Sequence, residues 1–189
     1  MSAIRNPKSE IVVVGGSLGG LRALQVVLGG LPQTFALPLV AVLHRDRDSD
    51  ETLAALLQQG VALTVVEAED KQPIRRGRVY LAPPDYHLLI EMEDKISNHP
   101  STSLRESPTT QPPNYPTIQL SHHFALSTDA PVNYARPSID VLFESAADAY
   151  GDGVIGIILT GANEDGARGL AAIKARGGLT IAQDPATAE

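Results

Sequence analysis

A three-layer, doubly wound α/β fold with a mostly parallel sheet and an antiparallel hairpin insertion is the architecture this chain predicts, on three observations. Short runs of aliphatic residues, Ile11–Val14, Leu39–Leu43, Ala62–Val66 and Val154–Leu159, are apolar at nearly every position, as strands covered on both faces are. Between them, apolar residues recur at helical spacing: Leu21, Leu24, Val27 and Leu28, then Leu53, Leu56 and Leu57. The connections are short, and strands alternating with helices at such spacing build a parallel sheet with right-handed crossovers. With 189 residues, 43% of them hydrophobic, the chain has material for one domain with a sizeable core.

The first strand runs into Gly15, Gly16, Ser17, Leu18, Gly19 and Gly20, a tight turn that sets Ser17 at a strand's carboxyl end and near a helix N-terminus. Leu31-Pro32 and Leu37-Pro38 punctuate the connection to Leu39–Leu43, which ends at His44. In the polar run Arg45–Glu51, Ser49 or Asp50 caps the second helix, and Gly60 stops it. Gly77–Ala82 is a short strand closed by Pro83-Pro84, and His87–Met92 begins the insertion. From Glu93 to Pro116 the residues are mostly polar, which predicts a flexible excursion, with strand fragments at Thr117–Ser121 and Phe124–Ser127. A helix is expected from about Pro137 through Val141, Leu142, Ser145 and Ala146. After Val154–Leu159, the loop Thr160–Gly166 opens a helix through Leu170 and Ile173, stopped by Gly177-Gly178, and Leu179–Ala182 is the last strand. Met1–Glu10 is expected to be a disordered tail, residues 11–189 one domain, and the end at Glu189 to cut that domain short.

Composition narrows the function. A formal charge of −7 argues against nucleic-acid or anionic-membrane surfaces, which favour basic patches. No apolar run approaches the roughly 20 residues that span a bilayer, and Met1–Glu10 lacks the apolar core of a signal peptide, so a cytoplasmic protein is expected. Without cysteine there are no disulfides and no thiolate chemistry. The adjacent His122 and His123 suggest a metal, yet no nearby carboxylate has ligand spacing, and no metal or cofactor is expected.

Ser17, His44 and Asp165 each follow a strand, and in an open parallel sheet ligands bind outside the carboxyl ends of the strands. Serine, imidazole and carboxylate are the set for acyl transfer: attack, proton exchange and fixing of the histidine tautomer. Backbone amides near Ser17 and around Ala162 would hold the oxyanion. The rival is a dinucleotide fingerprint for NAD(P) or flavin. It wants glycine where Ser17 stands and an acid where His44 stands, though Arg45 would suit a 2′-phosphate.

Val14–Gly20, Val42–His44, Tyr80–His87, Arg136–Phe143, Ile158–Ala167 and Thr180–Gln183 together resemble the CheB-type chemoreceptor glutamate methylesterases, in order and at similar spacing from Ile11 to Ala188. The resemblance implies a serine hydrolase that removes methyl esters from glutamyl side chains of methyl-accepting chemotaxis receptors. It makes Ser17 the nucleophile, His44 the general base, Asp165 its partner, and the amides of His44 and Ala162 the oxyanion donors. Arg136 is a candidate for binding an acidic receptor segment, or else a salt bridge at a helix start, and His87 for a supporting role. Three features depart from the family pattern: Leu18 after the nucleophile, the charged run Arg45–Glu51, and Glu164 before the aspartate. A non-catalytic relative that binds receptors or a regulator remains an alternative.

Overall fold

The structure, a computed structural model, describes residues 8–17, 19–44, 52–97, 117–161 and 164–188. Strands β1 (Ile11–Gly16), β2 (Leu39–Leu43) and β3 (Thr64–Glu67) alternate with helices α1 (Gly20–Gly29) and α2 (Thr52–Gln58), and β4 (Arg78–Leu81) is the next element after β3. The antiparallel pair β5 (His87–Ser97) and β6 (Thr117–Ser127) follows, then α3 (Ile139–Tyr150), β7 (Val154–Ile158), α4 (Ala167–Ala175) and β8 (Leu179–Ala182). Six strands form one parallel sheet in the order β3-β4-β2-β1-β7-β8. The chain moves outward from β1 on one side and returns to β7 on the other. This reversal places a crevice at the carboxyl ends of the central strands.

Alternation along the strands builds two cores. Val12 and Val14 of β1, with Leu39 and Ala41 of β2, pack toward α1 and α2. Ile11 and Val13, with Val40 and Val42, pack toward α3. Every residue of β1 is therefore buried, and the uninterrupted apolar run is explained by the two faces it must cover. In register, Gly15 lies beside both Val42 and Ile158, so the three central strands end at nearly one level.

Several boundaries differ from expectation. Glu93–Ser97, assigned to the flexible excursion, continues β5, and Thr117–Ser127 is one strand rather than two fragments, in register from His87↔Ser127 to Ser97↔Thr117. An antiparallel ladder satisfies its own backbone groups, so pairing persists after the apolar signal fades. Residues 98–116, the rest of that excursion, lie outside the described residues, as do Met1–Pro7 of the expected tail. The end of that tail is anchored: Glu10 N–H donates to Gly153 O at 2.8 Å, and Lys8 Nζ pairs with Asp152 at 2.7 Å. Helix α3 begins at Ile139, two residues beyond the expected Pro137.

Helices α3 and α4 meet closely because Gly169 has no side chain. A Cβ there would lie 2.5 Å from Phe143 Cβ and 3.1 Å from Asp140 O. Gly169→Ala is expected to destabilise the fold by roughly 1–3 kcal/mol through overpacking, read as a lower urea midpoint at unchanged slope.

Candidate active site

Ser17 leaves β1 at the sheet's central crevice. Its amide donates to Thr160 O at 2.9 Å, and its carbonyl accepts from Gly20 N–H at 2.8 Å, so the turn is tied to both the β7 loop and α1. Gly19, at φ 72°, takes a left-handed conformation that suits glycine and starts α1 immediately behind the serine. Gly161 permits the close approach of the β7 loop, since a Cβ there would sit 3.0 Å from Ser17 Cβ.

His44 lies between serine and aspartate. Its Nδ1 is 3.1 Å from Ser17 Oγ and its Nε2 is 2.7 Å from Asp165 Oδ2. Asp165 is buried among donors, so its carboxylate accepts the Nε2 proton, and Nδ1 is left as the acceptor facing the serine hydroxyl. This ring is turned relative to the serine-protease template, where Nε2 faces the nucleophile. The chemistry requires one nitrogen for each partner, and that requirement is met.

Asp165 belongs to the β7–α4 loop yet serves as an anion at the N-terminus of α3. Its Oδ2 accepts from Ile139 N–H at 2.8 Å as well as from His44. Its Oδ1 accepts from Ser138 Oγ at 2.8 Å, Asp140 N–H at 3.1 Å and Asn133 Nδ2 at 3.4 Å. Burial pushes the carboxyl up, but the His44 bond, the helix amides and the Ser138 hydroxyl outweigh it and hold the carboxyl at about 2. An ionised Asp165 is thus built into the fold.

Asp140 reciprocates from α3. Its Oδ1 accepts from Gly166 N–H at 3.0 Å and Gly169 N–H at 2.7 Å, capping α4, whose own cap residue is a glycine without a side chain. Ser138, at the N-cap position of α3, makes no cap of its own and gives its hydroxyl to Asp165 instead. His87 supports Ser138: its Nδ1 accepts Ser138 N–H at 3.2 Å, and its Nε2 donates to Ala130 O at 3.1 Å. Sequence reasoning assigned no role to Asn133, Ser138 or Asp140. The available signal was the Ser-x-Asp pair at a helix start, which reads as an ordinary local cap.

The remaining candidates separate. Arg136, expected as a possible substrate-binding residue, clamps loops: Nε and Nη2 donate to Asp85 Oδ1 at 3.0 and 2.6 Å, and Nη1 donates to Thr128 O and Asp129 O at 2.7 and 3.0 Å. Its side chain is 14% exposed, and these bonds tie together the loops that carry Asp85, Thr128 and Asp129. The His44 amide, expected to bind an oxyanion, donates to Gly16 O at 3.1 Å and extends the β1–β2 ladder, so it is not a free donor. Ala162, the other expected donor, lies outside the described residues, as do Leu18 and Arg45–Glu51. Glu164 is exposed.

The comparisons with known proteins point one way. The family described as CheB methylesterase matches residues 12–189. A protein of Leptospira interrogans is 43% identical over 180 residues, 95% of this chain and 79% of its own length. Protein-glutamate methylesterase/protein-glutamine glutaminase 2 of Anaeromyxobacter dehalogenans is 39% identical over 184 residues, and this chain spans 45% of that protein. The crystal structure of the Thermotoga maritima CheB methylesterase catalytic domain superposes with a TM-score of 0.77 at 32% identity, covering 95% of this chain and 82% of that one.

Proposed function

This chain belongs to the CheB methylesterase family of protein-glutamate methylesterases, and from that premise we propose that it demethylates glutamyl methyl esters on methyl-accepting chemotaxis receptors through Ser17, His44 and Asp165. The observation that carries the residue roles is the unbroken hydrogen-bond chain from Ser17 Oγ through the His44 ring to a buried, ionised Asp165. Ser17 Oγ attacks the ester carbonyl while its proton passes to His44 Nδ1. The tetrahedral adduct collapses as His44 returns that proton to the departing methoxide, which leaves as methanol. Water then attacks the acyl-serine, giving its proton to Nδ1, and a free glutamate leaves with Ser17 restored. Asp165 stays ionised throughout, holding Nε2–H and stabilising the imidazolium. The amino end of α1, directly behind Ser17, favours the developing negative charge.

The same cycle on a glutamine side chain releases ammonia in place of methanol. The relative from Anaeromyxobacter dehalogenans is named for both reactions, and this chain is proposed to share the second. The dinucleotide reading loses support because His44, at the position a ribose-binding acid would hold, is engaged by Ser17 and Asp165. Among the described residues no helix is long and apolar enough to cross a membrane, and the proposed substrate places the enzyme at the cytoplasmic ends of the receptors.

Methanol release from methylated receptor cytoplasmic fragments is the test. Release by the folded protein is expected. A protein that cleaves a small p-nitrophenyl ester but spares the receptor fragment would refute the receptor reading. Failure on both would leave the binding-only alternative.

A further inference from the structure

We infer that Asn133 is a positioning residue for this hydrolysis: its side-chain amide bridges two buried carboxylates, Asp140 and Asp165, and fixes Asp165 in the orientation that serves His44. The inference rests on the reading of the triad above and adds a residue that reading does not contain. Asn133 Nδ2 lies 3.0 Å from Asp140 Oδ2 and 3.4 Å from Asp165 Oδ1. An amide carries two N–H donors, one for each carboxylate. Asp140 and Asp165 are 2% and 5% exposed, so an acceptor or an apolar group at this point would leave two like charges poorly compensated in a low-dielectric setting.

Neither carboxylate turns away freely. Asp140 is held by its other oxygen, which caps α4. Rotation of Asp165 would remove Oδ2 from both His44 Nε2 and Ile139 N–H. The Asn133 contact on Oδ1 therefore steadies the plane in which Oδ2 meets the imidazole.

The backbone presents Asn133 at a cost. Val132 and Ala135 exchange hydrogen bonds of 3.1 and 2.9 Å around a two-residue turn in which Asn133 has φ 51° and Tyr134 φ 64°. Asparagine tolerates the left-handed region, whereas for a bulky tyrosine it is unfavourable. Tyr134 is fully exposed and recovers nothing by burial. What the strained turn achieves is delivery of the Asn133 amide to the two carboxylates.

Among the described residues, four other charged or titratable groups near this pair have the following surroundings. Arg168 is exposed, pairs with Glu144 and approaches Asp140 Oδ2 at 3.9 Å. His87 acts through Ser138 N–H, Glu164 is exposed, and Arg136 is engaged by Asp85.

Two substitutions test the bridge. Asn133→Gly keeps a residue that accepts positive φ and deletes the amide. It is expected to lower kcat for ester hydrolysis roughly tenfold, with KM within about twofold and the circular dichroism unchanged. Asn133→Asp replaces donors with acceptors. It is expected to move the acid limb of the kcat/KM profile up by about one pH unit, together with the titration of the Asp165 carboxyl carbon followed by NMR. The NMR titration needs no turnover, so it reads the bridge even if the wild type proves to cleave neither ester, which would sink the esterase reading alone. Folded variants with wild-type kcat and an unmoved Asp165 titration would reduce Asn133 to a turn former and overturn the inference. Should Asn133→Asp fail to fold, kcat and the Asp165 titration of Asn133→Gly decide the matter.

Discussion

Ser17→Ala is expected to lower kcat/KM for methanol release by roughly ten-thousandfold or more while leaving the unfolding free energy within about 1 kcal/mol of wild type. The size of the effect follows from the chemistry. Without Oγ there is no acyl-enzyme, and the residual rate is what the polarised crevice gives to direct attack by water. The small structural effect follows from the contacts. The turn is held by backbone bonds from Ser17 N–H to Thr160 O and from Gly20 N–H to Ser17 O, neither of which uses the side chain. Methanol assay, substrate-binding titration and urea unfolding on one preparation separate the terms. Binding of the methylated receptor fragment should survive. Full turnover in the alanine variant would move the nucleophile elsewhere.

Asp165→Asn is expected to lower kcat by a comparable factor, on the order of ten-thousandfold, and to destabilise the fold as well. An asparagine sets an amide NH2 or a weaker carbonyl acceptor against His44 Nε2. The tautomer that leaves Nδ1 free to accept the Ser17 proton is then no longer enforced. The stability loss carries a pH signature with a definite sign. The Asp165 carboxyl lies near 2 in the fold against an ordinary 3.8, because His44, the α3 amides and Ser138 outweigh burial. A depressed folded value contributes stability that is present above the unfolded value and lost as pH falls through the folded one. The difference corresponds to about 2 kcal/mol at neutral pH, fading between about pH 4 and pH 2. Urea midpoints of wild type and variant should therefore differ at pH 7 and converge toward pH 2. A gap of the same size at both ends would assign the loss to packing rather than charge.

Most of the architecture was legible along the chain. The runs Ile11–Val14, Leu39–Leu43 and Val154–Leu159 are apolar because their strands are sandwiched between two helical layers, and that demand is written residue by residue. The ends of the same runs exposed the site, since a polar residue after a buried strand sits at the sheet's rim. Hence Ser17, His44 and Asp165 stood as candidates in advance, the resemblance to the CheB-type family gave them roles, and the structure brings them into one hydrogen-bonded chain. The hairpin was harder. β5 and β6 are held by cross-strand backbone bonds that leave little trace in composition, so Glu93–Ser97 read as loop.

By itself the sequence determined the layered sheet and its strand positions, because these depend on local periodicity, and it offered three polar residues at the rim, where buried runs stop, whose roles the family resemblance supplied. Only the tertiary structure decided how Asp165 is held and what Arg136 does. Helices α3 and α4 pack with their amino ends together, so Asp165 from the loop before α4 meets the amides of α3, and Asp140 of α3 meets those of α4. Each aspartate, read along the chain, is an ordinary residue beside a helix start. The partner of such a carboxylate is chosen by which helix lies across from it, and that is a property of packing across more than twenty residues of chain. Arg136 stood in the sequence as a candidate for substrate binding or for a salt bridge at a helix start, and only the structure shows Asp85, Thr128 and Asp129 converging on it. Local patterns write burial into a sequence, whereas the pairing of polar groups is settled by the approach of distant segments.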